Sequence, residues 1–273
     1  MKKILGTILG LMLMSQAFAS IAVSPTRIEI DANKVKGNFI TTAFEVKGDN
    51  AKAMRFKVYP EYFDIDDQAQ VIMIDKCENP HNIAKKIRFV PSEFNVLPGK
   101  SQKVRVNIAN IKQLPDGENR AILYIEDVQP KTVNFDTGSD KIGAQLIVKT
   151  RVGVPIYIDK GNYTRVGEIE SFNINQTKDG NLEAELKILS KGNTRLRYNA
   201  NIQLIKGELL VDEYSIGSGV VGQENSFVHK ASVQFKKALT GTYTARAVVT
   251  YTDQNRKKQV LKKETTINIK GEM

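Results

Sequence analysis

The stretch Phe94-Asn95-Val96-Leu97-Pro98-Gly99-Lys100-Ser101-Gln102-Lys103-Val104-Arg105-Val106-Asn107-Ile108 decides how the chain folds. Pro98-Gly99 reads as a turn: proline presets the backbone of one position, and glycine accepts a left-handed conformation at the next. The residues after the turn alternate. Val104, Val106 and Ile108 fall on one face of an extended strand, and Arg105 points away from them. An amphipathic helix would instead repeat its apolar positions every three to four residues.

The same period of two extends outward from Ser20 to the end of the chain, and no ten-residue window carries a helical stripe. Strands are expected at 28–31, 39–46, 54–59, 71–74, 86–89, 102–108, 120–127 and 144–158. After Asp159-Lys160-Gly161-Asn162 a second series is expected at 167–173, 182–189, 197–206, 209–214, 226–235, 241–250 and 259–269. Clusters of Gly, Pro, Asn and Asp separate them. Lys178-Asp179-Gly180-Asn181 and the segment 251–256 read as hairpin turns, which implies antiparallel pairing. The fold class is therefore all-β, with two immunoglobulin-like β-sandwich domains over residues 20–159 and 160–273.

Residues 1–19 are set apart from the fold. Met1-Lys2-Lys3, the apolar run 4–14 and Ala17-Phe18-Ala19 form a secretory signal with cleavage expected before Ser20. No later run approaches the roughly 18 apolar residues that span a bilayer, and no cysteine in the signal could take a lipid. An exported protein without stable membrane insertion is expected. Its 40 Lys and Arg against 30 Asp and Glu give a net charge of +10, or +8 once Lys2 and Lys3 are removed, which favours acidic partners. The lysines are spread along the strands instead of being gathered with aromatics, and tryptophan is absent, so no nucleic-acid platform is expected.

The residues that carry catalysis are missing. Cys77 is the single cysteine, so no intramolecular disulfide forms, and it is expected to be a small buried or half-buried side chain. Only His81 and His229 could serve a nucleophile. Gly217-Ser218-Gly219-Val220-Val221-Gly222 has the letters of a dinucleotide fingerprint, but a strand follows it where phosphate binding needs a helix N-terminus, so it reads as a flexible loop. Asp64-Ile65-Asp66-Asp67 lacks the later glycine and glutamate of a calcium loop and reads as a solvated hairpin turn. Asn162-Tyr163-Thr164 and Asn175-Gln176-Thr177 match the glycosylation triplet, which arises often by chance. Neither catalytic residues, a metal nor a cofactor is expected, and the chain does not read as an enzyme.

Three segments carry a family resemblance. Residues 91–106, then Leu114-Pro115-Asp116-Gly117-Glu118-Asn119-Arg120 and Ile122-Leu123-Tyr124-Ile125, resemble in order and spacing the first domain of periplasmic pilus chaperones of the PapD-like family. The start Ile21-Ala22-Val23-Ser24-Pro25-Thr26-Arg27 is similar to that family's first strand, so the resemblance covers about residues 21–158. It implies two sandwiches arranged as an L or boomerang, located in the periplasm. These bind pilus or fimbrial subunits that lack their last strand and deliver them to an outer-membrane usher. An incomplete sandwich has an unpaired edge and an open core, and a lent strand covers both.

The donor strand must alternate apolar and polar residues. Ile142, Ala144, Leu146 and Val148 lie on one face of such a strand, with Gln145, Lys149 and Arg151 mainly on the other. By pattern alone these four would pack their own domain; the resemblance implies that they fill a subunit's groove. It also implies a pair of basic residues that anchor the subunit's terminal carboxylate. Arg27 matches the first. Gly153 stands where the second, a lysine, is expected, leaving Arg151 or Lys149 to substitute. Arg105 and Glu118 match positions of an ion-pair network near the domain junction, but Asn119 falls where an acid is expected. The segment 129–143, with the bend Asp136-Thr137-Gly138-Ser139-Asp140, suits a mobile arm before the donor strand. Self-association of the client-free protein would cap the lent strand. Two other readings are a PapD-like chaperone for a non-pilus exported client and a structural or adhesive surface protein.

Overall fold

The computed structural model describes residues 21–66, 68, 70–74, 79–129, 131–135, 144–234 and 239–271, with the backbone alone for 131–135 and 144–145. Its first part contains β1 (Ala22–Ser24), β2 (Ile28–Asp31), β3 (Phe39–Lys47), β4 (Met54–Glu61), β5 (Phe63–Ile65), β6 (Val71–Met73), β7 (Ile87–Val90), β8 (Glu93–Val96), β9 (Ser101–Ala109), β10 (Gly117–Asp127), β11 (Lys131–Phe135), β12 (Ala144–Val148) and β13 (Arg151–Lys160). The second contains β14 (Gly167–Gln176), β15 (Leu182–Ser190), β16 (Leu196–Lys206), β17 (Leu209–Val221), β18 (Ser226–Val233), β19 (Gly241–Thr252) and β20 (Lys258–Ile269). The chain is all-β, with no α-helix among the described residues.

In the first sandwich a sheet in the order β1-β3-β9-β7 faces a sheet in the order β2-β13-β10-β4-β8. The alternation of β9 decides which atoms meet: Val104, Val106 and Ile108 are fully buried, and Arg105 is exposed on the other face. They join Phe44, Phe56, Leu123, Ile125, Val154, Ile156 and Ile158 in one core. The turn before β9 forms as expected, with Gly99 at φ +66° and Lys100 N–H donating to the Leu97 carbonyl. Pairing is antiparallel except for β2 alongside β13, where Ile28 lies beside Ile156.

β10 is covered on both sides. Its Ala121, Leu123 and Ile125 enter the sandwich core, whereas Ile122 and Tyr124 join Phe63, Ile65 and Tyr157 in a smaller core on the outer face. The β5–β6 hairpin roofs this second core, and Phe63 meets the Tyr157 ring edge-on at 5.7 Å. Val220 of the second sandwich packs against it as well.

In the second sandwich the sheet β14-β15-β18 faces the sheet β17-β16-β19-β20. Leu186, Ile188, Tyr198, Ala200, Ile202, Ala245, Ala247 and Val249 fill the space between. Both expected hairpins form. Gly180 takes φ +81° between β14 and β15, and Asp253 accepts the Asn255 and Lys257 amide hydrogens between β19 and β20.

Three expectations are corrected. The single strand expected at 144–158 divides into β12 and β13, and β12 leaves the five-stranded sheet to pair with β11 alone. The register supplies a reason: Glu126 faces Arg151 but Lys131 faces Val148, so the opposing chain spends two more residues across the gap than this one, and the ladder is interrupted. Next, the glycine-rich segment 217–221 is the end of β17, not a loop. Gly217 takes φ +103° where the β16 register shifts, and a Cβ on Gly219 would stand 2.4 Å from the Tyr198 hydroxyl, so glycine there allows close approach of Tyr198. Last, Asp66 does make the hairpin turn, but Asp64 is no solvated turn residue: it lies in β5 and receives Arg120 Nη2 at 2.6 Å. Cys77, Asp67, the bend 136–140 and the segment 1–19 lie outside the described residues.

Candidate functional site

Two features of this framework differ from ordinary packing. The first is the β11–β12 ribbon. β12 pairs residue by residue with β11, from Ala144 against Phe135 to Val148 against Lys131, and its other edge meets no strand among the described residues. Its side chains are uncovered too. Leu146 is 50% exposed, Ile147 57% and Val148 37%, and none of the three belongs to any core cluster. Ala144 lies in β12 at the face-sharing position two residues before Leu146; Ile142 lies outside the described residues.

The second is a polar cleft of 630 Å³ between the sandwiches, reached by Arg27 and Glu29 from one and by Arg165, Arg195, Arg197 and Tyr198 from the other. Arg27 follows β1, and its Nε donates to Glu29 Oε1 at 3.1 Å. Arg197 Nε, from β16, donates to the same oxygen at 2.7 Å. Behind them lies a buried ion network. Arg195, 2% exposed, donates Nη1 to Glu118 Oε2 at 2.8 Å and to Asp159 Oδ1 at 3.0 Å, and its guanidinium stacks 4.1 Å above Tyr157. Arg120 pairs with Glu118 and Asp64, and Arg165 with Asp159.

Burial and charge compete at each carboxylate. Dehydration pushes Glu118 up, but Arg195 and Arg120 together outweigh it and hold the group below the usual glutamate range. At Glu29 burial is likewise overcome by Arg195 and Arg197, and its value is lowered. At Asp159 burial wins over Arg195 and Arg165, aided by repulsion from Glu118, and its value is raised. The joined carboxylates and guanidinium groups tie β10 and β13 of the first sandwich to the second. Glu118 does this with its backbone as well, since its N–H donates to the Asn193 carbonyl.

The anchors expected from sequence are not brought together. Arg27 stands level with Pro155 of β13, so Arg151 is four residues away, about 13 Å along the strand, and Lys149 is farther still. Arg151 has other neighbours: it stacks 4.1 Å over Tyr124 and approaches the Tyr59 hydroxyl at 3.4 Å. Lys149 is exposed between β12 and β13. A Cβ on Gly153 would lie 2.4 Å from Ile122 Cδ1, so a side chain there would require Ile122 to shift. Glu118 does join an ion network, whereas Arg105 is exposed on β9 with no ion pair among the described residues. Asn119 is buried, and its amide donates to the Pro115 carbonyl at 3.0 Å, a bond that an ionised acid could not make.

Sequence reading missed Glu29, Asp159, Arg165, Arg195 and Arg197. Asp159 sat in an apparent linker and Arg195 beside a polar turn. The outward positions of Arg197 on β16 and Glu29 on β2 look the same as solvated ones until the second sandwich covers them.

No protein-family model matches the chain, and no curated protein matches it. Solved structures similar to it include the class 5 fimbriae chaperone CfaA, 15% identical over 90% of this chain and 98% of that one, with a TM-score of 0.46. The YadV chaperone is 8% identical over 90% of this chain and all of its own, also at 0.46. The Pseudomonas aeruginosa CupB2 chaperone is 12% identical over 89% and 98%, at 0.42. No helix among the described residues is long and apolar enough to cross a membrane, and no group of three or more His, Cys, Asp or Glu among them could hold a metal ion.

Proposed function

We propose that this chain is a non-enzymatic periplasmic chaperone that lends β12 to pilus or fimbrial subunits lacking a strand and delivers them to an outer-membrane usher. One observation carries the reading: among the described residues, Leu146 and Val148 are exposed on a strand whose outer edge meets no other strand, and both side chains stand outside every core cluster. A strand in that state offers a partner backbone hydrogen bonds along its edge and apolar side chains, at alternate positions, for a groove. Ala144 and Ile142 extend the same face by sequence. Arg27, in the cleft, is the base suited to a terminal carboxylate, since its planar fork gives directed, charge-assisted hydrogen bonds.

The test is co-purification from periplasmic extract with mass spectrometry of the bound species, run on wild type and Leu146→Glu. A sandwich-type subunit held by wild type and lost from the variant supports the reading. Equal retention by both would sink it. A second reading, a chaperone for a non-pilus exported client, is favoured by Gly153, which puts no base where the family's lysine is expected. The identity of the bound species separates the two.

A further inference from the structure

One side of the second sandwich is closed by a side chain instead of a ladder. β17 and β18 are the outermost strands of different sheets, and His229 of β18 spans the gap between them. Its Nε2 lies 2.7 Å from the Ile216 carbonyl of β17, and its Nδ1 lies 2.8 Å from the Tyr198 hydroxyl of β16. Ile216 is the extra residue of a bulge: Ser215 stands opposite Asn201 and Gly217 opposite Ala200, so Ile216 has no partner in that register. The two partners fix the state of the ring. A carbonyl can only accept, so Nε2 carries the hydrogen, and Nδ1 of the neutral ring then accepts from Tyr198. Burial holds Tyr198 above the usual tyrosine range, so the phenol keeps the hydrogen that it donates.

A second proton has no place in this arrangement. Nδ1–H would point at the Tyr198 hydroxyl, which must then turn its own hydrogen away, and that hydroxyl has no other partner among the described residues. Tyr198 is 2% exposed, and a buried donor left without an acceptor is costly. No carboxylate faces the ring to hold a cation. From β15 it meets Leu186, from its own strand Phe227 at 5.9 Å, and from β17 the residues 216–220, none of which titrates. Glu185, Lys187 and Lys230 alternate to the other face of their sheet, where Lys230 pairs with Glu185 and Lys187 with Glu170. Just beyond the ring, the β17–β18 turn reaches the first sandwich: Val220 packs into the smaller core, and Asn225 Nδ2 donates to the Ile65 carbonyl of β5 at 3.1 Å. From this we infer that His229 is a pH-sensitive clasp: neutral, it ties β18 to the bulge of β17 and to Tyr198, and a second proton opens it and loosens the turn that holds the second sandwich to β5. The unfolded chain accepts that proton freely, so stability should be lost as pH falls through the ordinary imidazole range, about pH 6.5, and regained as it rises.

The experiment uses the full chain as wild type, His229→Gln and His81→Gln, each melted at pH 7.5 and at pH 5.5, with the imidazole nitrogen resonances of wild type followed over the same range. Glutamine keeps a donor and an acceptor but takes up no proton. The carboxylates are the same in all three chains, so they drop out of the comparison. Between the two pH values wild type and His81→Gln should lose roughly 3–6 °C more in melting temperature than His229→Gln. At pH 7.5 the His229 ring should be neutral with its hydrogen on Nε2, and on acidification the methyl signals of Val220 and Ile65 should move together with the ring. An acid loss in His229→Gln equal to that of wild type overturns the clasp. Where the glutamine variant fails to fold, the spectra decide: a ring with its hydrogen on Nδ1, or one already cationic in the folded chain at pH 7.5, overturns it as well. Val220 and Ile65 signals that stay fixed while the ring gains its proton overturn the release of β5.

Discussion

Replacing Leu146 by glutamate separates a lent strand from a strand that serves its own domain. Full burial of a leucine side chain is worth about 1.5–3 kcal/mol. Leu146 is 50% exposed, so about half of that, on the order of 1 kcal/mol, remains to be gained when a groove closes over it. Leu146→Ala should therefore weaken capture by roughly fivefold. Glutamate forfeits the same contact and must also enter an apolar groove without a partner, which brings the total to about 3 kcal/mol or more, a loss of at least roughly 100-fold. The folded chain should not notice: Leu146 touches no core, and such surface changes stay within about 0.5 kcal/mol. Ile147→Glu is the internal control. It is equally exposed but faces the other way along β12, so it should cost far less than its neighbour. The assay is titration calorimetry against a sandwich lacking its last strand, with thermal melting of each variant. Binding by Leu146→Glu within threefold of wild type would refute the reasoning, as would equal losses for the two glutamates.

Gly153→Lys should not create the family's anchor but should destabilise the fold by about 1–3 kcal/mol, because its Cβ meets Ile122 at 2.4 Å; a urea midpoint equal to wild type would show that the site has room. Glu118→Gln keeps the shape but strips a buried counter-ion from Arg195 and Arg120, and should cost about 3–5 kcal/mol in urea unfolding, with a change under about 1 kcal/mol counting against the network. Acid should act on the same group. Because the Glu118 value is lowered in the folded state, its contribution is complete above the ordinary 4.5 and is lost as pH falls through the lowered value, and Glu29 acts in the same direction. Asp159 has the opposite sign: its raised value favours the fold below the ordinary 3.8, and that favour fades as pH rises through the raised value. Melting temperatures between pH 7 and pH 3 should fall below about pH 4.5, and a Glu118→Gln chain should fall less steeply; identical slopes would exclude Glu118 as the source.

How far the sequence could be read depends on the range over which each signal acts. The period of two in β9 is local, and it told core from solvent for Val104, Val106, Ile108 and Arg105 correctly. Turns signed by Pro98-Gly99, Asp179-Gly180 and the Asp253 loop are equally local and formed where expected. The break between β12 and β13 was not legible in its own residues, since it follows from a register change against the opposing chain, from Glu126 against Arg151 to Lys131 against Val148. The ion network was hidden for a stronger reason. Glu118 and Arg195 are 77 residues apart, and charged residues at outward positions announce a solvated face unless a second body covers it. The burial of Arg195 is a property of two sandwiches meeting, and neither half of the sequence contains it.

A strand held open for a partner must also avoid the commonest wrong partner, a second copy of itself. Among the described residues β12 presents an unpaired apolar edge, and edge strands of this kind are kept apart in other proteins by charge. Here two cations stand at the foot of the strand, one of them, Arg151, with Glu61 at 3.9 Å. They are the exposed Lys149 and Arg151. Two copies meeting edge to edge would bring these cations together, on chains that each carry a net positive charge. A subunit edge lacking that charge, or bearing carboxylates, meets no such barrier. Self-pairing that caps β12 is thus opposed at low salt and eased as screening shortens the reach of each charge to about 10 Å near 0.1 M. On the strand-lending reading, the basic balance of the whole chain, which taken alone pointed only to acidic partners, gains a local role at the foot of one strand, where it would oppose self-pairing and leave the apolar face of Leu146 and Val148 to a client.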